Sequence, residues 1–115
     1  MRIPFAFDLS DGLVSVRGTV SLDRDVVVFE TERKMIGLIP FGRKTIRLDV
    51  DDIEEVRVDA VTLRKPRLVI RPFGFVRVRD FPGDPPGEIV LPIAKADRAT
   101  AELFAREVHL RNLPR

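Results

Sequence analysis

Only one stretch of this chain, Ala96 to Leu113, carries its apolar residues at helical spacing; from Leu13 to Ile93 they alternate with polar residues in short runs. A period of two puts one face of a strand on a core and leaves the other for water. The pattern therefore predicts a meander of strands closed by a single terminal helix, a mainly β fold of the α+β kind. At 115 residues the chain has the length of one domain able to bury a modest core without covalent staples.

On a helical wheel of about 100° per residue, the terminal segment shows two apolar stripes. Ala101, Phe104, Ala105 and Val108 form one, enough to cover a sheet. Ala96, Ala99, Leu103 and Leu110 form a second, which a lone helix on a small domain does not need. Either the N-terminal segment covers this second stripe or it meets a partner or another subunit. Asp97 stands where an N-cap or first-turn acid belongs, Arg106 and Arg111 favour the C-terminal half, and Pro114 stops the helix.

Before the helix, Phe5, Phe7 and Leu9 alternate up to a turn at Ser10-Asp11-Gly12. Val14, Val16, Val20 and Leu22 then share a strand face, with Gly18 among them predicting a bulge or sharp bend. Asp23-Arg24-Asp25 turns this strand into a second one, Val26 to Arg33, as a hairpin. Further strands are predicted around Ile46 to Val50, Val56 to Ala60, Leu68 to Ile70, Val76 to Arg79 and Ile89 to Ile93. The acidic stretch Asp51 to Glu55 reads as one turn anchored by an inward Ile53, and Phe81 to Gly87 as a stiff proline-rich loop.

Thr45-Ile46-Arg47-Leu48-Asp49-Val50-Asp51-Asp52-Ile53-Glu54-Glu55-Val56 resembles the polar-Ile-x-Leu-x-x-x-x-Ile-x-x-Val signature of bacterial pleckstrin-homology-like (PH-like, GRAM-type) domains. The order of elements is similar over nearly the whole chain. The resemblance implies a seven-stranded antiparallel barrel of two orthogonal sheets capped by one C-terminal helix. It implies a binding or assembly scaffold and names no ligand.

The segment Arg33-Lys34-Met35-Ile36-Gly37-Leu38-Ile39-Pro40-Phe41-Gly42-Arg43-Lys44 reads as a loop of large apolar residues with a basic pair at each end. Folded back, its apolar residues complete the core; exposed, they make a contact surface. The candidate interface residues are Arg33, Lys34, Met35, Ile36, Leu38, Ile39, Phe41, Arg43 and Lys44, joined by Ala96, Ala99, Leu103 and Leu110 on the helix. A protein partner or a second copy is expected there, with an anionic membrane surface as the alternative. The first hairpin turn, a common lipid site in PH domains, is acidic here and unsuited to phosphoinositides.

Arg71-Pro72-Phe73-Gly74-Phe75-Val76-Arg77-Val78 resembles the RNP1 motif of RNA-recognition domains, but Pro72 and Val78 break it and no early helix accompanies it. Nucleic acid is not the expected partner: RNA binding through residues 71–78 is the weaker alternative to a protein or membrane contact, because the net charge is only +2, with acids and bases interspersed. Asp49, Asp51, Asp52, Glu54 and Glu55 lack calcium-loop spacing, and His109 has no second metal-ligating neighbour. No catalytic set and no cofactor site is predicted, so the expectation is a non-catalytic module. With no cysteine and no long apolar run, it reads as cytoplasmic, with membrane contact at most peripheral. Arginine far exceeds lysine, Asn112 is the only asparagine and glutamine is absent, which suits either a high-GC genome or a thermophilic host. The thermophilic reading predicts a melting temperature above the roughly 45–65 °C of mesophilic domains, measurable by calorimetry.

Overall fold

In the computed structural model, the described residues are 1–9, 12–35, 40–60, 64–74, 81 and 87–113, with backbone alone for 40 and 41. Strands β1 (Arg2–Leu9), β2 (Val14–Asp23), β3 (Val26–Met35) and β4 (Pro40–Asp49) form one antiparallel sheet in that spatial order. Strands β5 (Ile53–Asp59), β6 (Arg67–Pro72) and β7 (Ile89–Pro92) form a second, three-stranded sheet. A 3-10 turn at Val50–Asp52 joins the sheets, and another at Lys95–Asp97 leads into helix α1 (Arg98–Arg111).

Alternation decides which side chains reach the core. Ile3 and Phe5 of β1, Val16 and Val20 of β2, Val27 and Phe29 of β3, and Ile46 and Leu48 of β4 are all buried. Leu68, Ile70, Ile89 and Leu91 do the same for the second sheet. Phe81 closes this core, edge-on to Phe29 at 5.4 Å between ring centroids and stacked with Phe7 at 6.3 Å. Pro4, which cannot donate to a ladder, is tolerated because β1 is an edge strand.

A closed barrel is not formed by the described residues. β4 pairs only with β3, and β5 only with β6. Between them the chain leaves the first sheet through the 3-10 turn, which the Val50 N–H pins by donating to the Asp25 carbonyl at 2.9 Å. β1 and β7 pack together without a ladder. Two further backbone bonds tie the second sheet to its connections: the Phe73 N–H donates to Asp52 O, and the Ile93 N–H to Pro66 O, each at 3.0 Å. The strand expected at Val76 to Arg79 lies outside the described residues, and the N-terminal stretch supplies β1 instead.

The β2–β3 ladder runs without a register shift from Val14 opposite Met35 to Asp23 opposite Val26. No bulge occurs at Gly18. The irregularity falls between Glu32 and Arg33, on the β3–β4 side. Gly18 is needed for close approach: a Cβ there would overlap the Glu30 carbonyl oxygen and come within 2.8 Å of the Phe5 ring. At the hairpin turn Arg24 takes a left-handed conformation, with φ of 57°.

Helix α1 packs against β5 and buries Ala101, Phe104 and Val108. A 14-residue helix is marginal by itself, so this packing holds it. Its C-cap, Asn112, donates from the side-chain amide to the Ile53 carbonyl at 2.7 Å. Asp97 occupies the N-cap position without a side-chain capping bond.

Replacing Gly18 with valine should destabilise the fold by about 3 kcal/mol, because backbone on the adjoining strand cannot yield as a side chain can. Urea denaturation followed by circular dichroism measures it. An unchanged midpoint would show that β2 can move away from β3.

Candidate functional site

The basic-apolar segment from Arg33 to Lys44 is mainly strand. Arg33, Lys34 and Met35 end β3, and Pro40 to Lys44 begin β4, so strand replaces the expected loop at every described position of the segment; residues 36–39 lie outside the described residues. Strand continues because Arg33 pairs with Phe41 and Lys34 with Pro40 after the bulge. Ile36, Leu38 and Ile39 lie outside the described residues, as does the side chain of Phe41. Met35 is exposed at this end of the sheet, and Leu13, next to its cross-strand neighbour Val14, is 61% exposed.

Two of the predicted site residues, Lys34 and Arg43, come together on the outer face of the first sheet, while Lys44, whose cross-strand partner is the buried Thr31, has the opposite parity along β4. They line a groove of about 620 Å³ with Arg17, Glu30 and Glu32. The cross-strand row Arg17–Glu32–Arg43 crosses its floor, and the row Thr19–Glu30–Thr45 lies beside it. Arg43 reaches Glu32 at 3.6 Å, and Arg2 reaches Glu30 at 3.9 Å. Glu32 thus stands between two guanidinium groups and offsets the charge that would otherwise draw an anion. Arg17 and Glu32 are not among the candidates that the sequence singles out; the signal for them is their place on the polar parity of adjacent strands.

The outer face of the second sheet carries a separate ionic network. Arg57 donates to Glu88 at 2.9 Å and to Asp59 at 3.1 Å, and lies 3.6 Å from Glu55. The Glu88 hydrogen bond pushes the Arg57 guanidinium above its ordinary pKa, against partial burial and with help from Asp59. Arg57 therefore stays charged, fastening β5 to the residue just before β7. Arg71 donates to Glu55 at 2.6 Å, while its Nε lies 3.5 Å from Glu54 without making a hydrogen bond. In the RNP1-like stretch, then, the arginine faces carboxylates, and Phe75 to Val78 fall outside the described residues.

The second helical stripe is uncovered. Ala96 lies in the 3-10 turn, and Ala96, Ala99, Leu103 and Leu110 are all exposed, the two leucines at 52% and 51%. The N-terminal segment does not reach it, because that segment is committed to β1 and its ladder with β2. Among the described residues no group of three His, Cys, Asp or Glu side chains could hold a metal ion, and no helix is long and apolar enough to cross a membrane.

If Glu32 is what keeps the groove from holding anions, Glu32→Gln should release Arg17 and Arg43 together. Retention on a sulfate-bearing cation exchanger should then rise, and the elution point should move to higher salt by more than one unit of surface charge usually brings. Elution matching that of a distant Glu-to-Gln control would show that the groove does not act as a unit. Comparison with models of known protein families, with curated proteins and with solved structures finds no match for this chain.

Proposed function

We propose that this chain is a non-catalytic binding module of the PH-like type, which contacts a protein through the outer stripe of α1 and the end of the β3–β4 hairpin. The observation that carries the reading is the second apolar stripe: Leu103 and Leu110 stand half exposed on the side of α1 away from its buried face. Half-exposed leucines in a row on a surface helix cost solubility unless a contact uses them. The strand order supports the PH-like assignment, since a four-stranded meander, a three-stranded meander and a terminal helix follow one another as in that fold.

Membrane binding through the hairpin is the second reading. Exposed Met35 and Leu13 beside exposed Arg43 and Lys44 favour it, while the pairing of Arg43 with Glu32 weakens it.

Two measurements separate these readings: solution mass by light scattering over a concentration series, and flotation with vesicles containing anionic phosphatidylserine. The protein-contact reading expects a mass above that of the 13.1 kDa chain, reduced by the Leu103→Ser/Leu110→Ser pair, with no flotation. Flotation that persists in the serine pair would transfer the function to the hairpin and a membrane.

A further inference from the structure

We infer that the groove on the outer face of the first sheet docks an extended acidic segment of a partner protein, in which an apolar residue is followed, at steps of two, by two carboxylates. The inference rests on the protein-contact reading and gives that partner its chemistry.

The groove is lined by four basic residues and two acidic ones. Both acids are already engaged, Glu30 with Arg2 at 3.9 Å and Glu32 with Arg43 at 3.6 Å. Arg17 and Lys34 have no ion pair among the described residues, so surplus positive charge rests on them. Because Arg17 pairs across the strands with Glu32, and Ser15 with Lys34, the two cations are diagonal neighbours on β2 and β3. A bulge shapes the hollow. Between the Glu32–Arg43 and Arg33–Phe41 pairs, β4 carries one extra residue, Gly42, at φ of 76°. Such a bulge bends its strand and strengthens the local twist, and this one lies directly before Arg43.

The order of side chains along the face sets the order within the segment. Successive outward rows of a sheet are roughly 7 Å apart, and so are same-side residues of an extended peptide. Leu13, exposed just before β2, comes first; Lys34 follows, then Arg17 with Arg43, and last Glu30. A segment laid along the strands therefore meets an apolar contact, one cation, two cations and an acid. An apolar residue with carboxylates two and four positions later complements the first three rows. A neutral or basic residue two positions further on avoids Glu30.

Fluorescence anisotropy on the full chain tests this with a labelled threonine-rich peptide carrying one leucine and glutamates two and four positions after it. Arg17→Glu and Lys34→Glu should each weaken binding at least about tenfold, and Leu13→Ser about threefold. Glu32→Gln should strengthen it severalfold by freeing Arg43. A peptide with its two glutamates on consecutive positions, which face opposite sides of an extended chain, should bind at least about fivefold more weakly. Circular dichroism confirms that each variant is folded. Absence of saturation below about 1 mM overturns the site, as does equal binding of the consecutive-glutamate peptide or indifference to Arg17→Glu and Lys34→Glu. Phosphatidylserine-vesicle flotation that Arg17→Glu abolishes, without peptide binding, assigns these cations to a membrane and also overturns it. If the peptide fails while Leu103→Ser/Leu110→Ser still lowers the solution mass, the groove site falls and the protein-contact reading stands on α1. If the peptide fails and the serine pair changes nothing, both fall.

Discussion

A strand sends successive side chains to opposite faces, and in β3 both destinations are occupied. Val27, Phe29 and Thr31 point into the core; Glu30, Glu32 and Lys34 point to the groove. Phe29 is fully buried between cross-strand Val20 and Ile46 and meets the edge of Phe81. Moving β3 by one residue would put Glu30 and Glu32 in the core and Phe29 in water. Both the hydrophobic core and the charge rows on the outer face hang on this one register. Gly18 protects it, since no other residue lets β2 lie so near the Glu30 carbonyl.

The parts of the fold legible in the sequence were those set by periodicity. The β2–β3 hairpin, the inward Ile53, and the buried stripe of Ala101, Phe104 and Val108 all follow from spacing alone, whereas the turn expected over Asp51 to Glu55 is confined to Val50–Asp52, with Ile53 to Glu55 opening β5. The segment from Arg33 to Lys44 was misread because Gly37, Pro40 and Gly42 look like loop residues, whereas the bulge after Glu32 lets strand pairing continue to Pro40. Closure into a barrel could not be read either. It depends on whether edge strands meet, which spacing along one strand does not encode. The groove escaped for a similar reason: Arg17, Glu32 and Arg43 are distant in sequence and become one row only through cross-strand pairing.

The two outer faces differ in how they treat charge. On the first sheet, acids sit between bases, and the groove, lined by four basic residues and two acidic ones, keeps a small excess of positive charge. On the second, Arg57 and Arg71 are each shared among carboxylates, and these partly exposed pairs act as fasteners between strands. Exposed ion pairs contribute little singly, typically under about 1 kcal/mol, but one arginine bridging β5 to the residue before β7 also limits how those strands can slide. The helix follows neither pattern, being apolar on two opposite sides with its ion pairs along the flanks.

Both sheets are meanders, in which every strand pairs only with its sequence neighbours. Such pairing closes short loops, so the first sheet can assemble while the rest of the chain is still being synthesised. Its inner face then waits uncovered for β5 to β7, and for a helix that comes last and is tied by Asn112 to Ile53, 59 residues earlier. Until the helix docks, Phe5, Val16 and Phe29 lie on an open apolar surface. The first sheet is thus most prone to aggregate after it forms and before the helix docks, and a chaperone that holds the chain through that interval would act where the topology leaves it least protected.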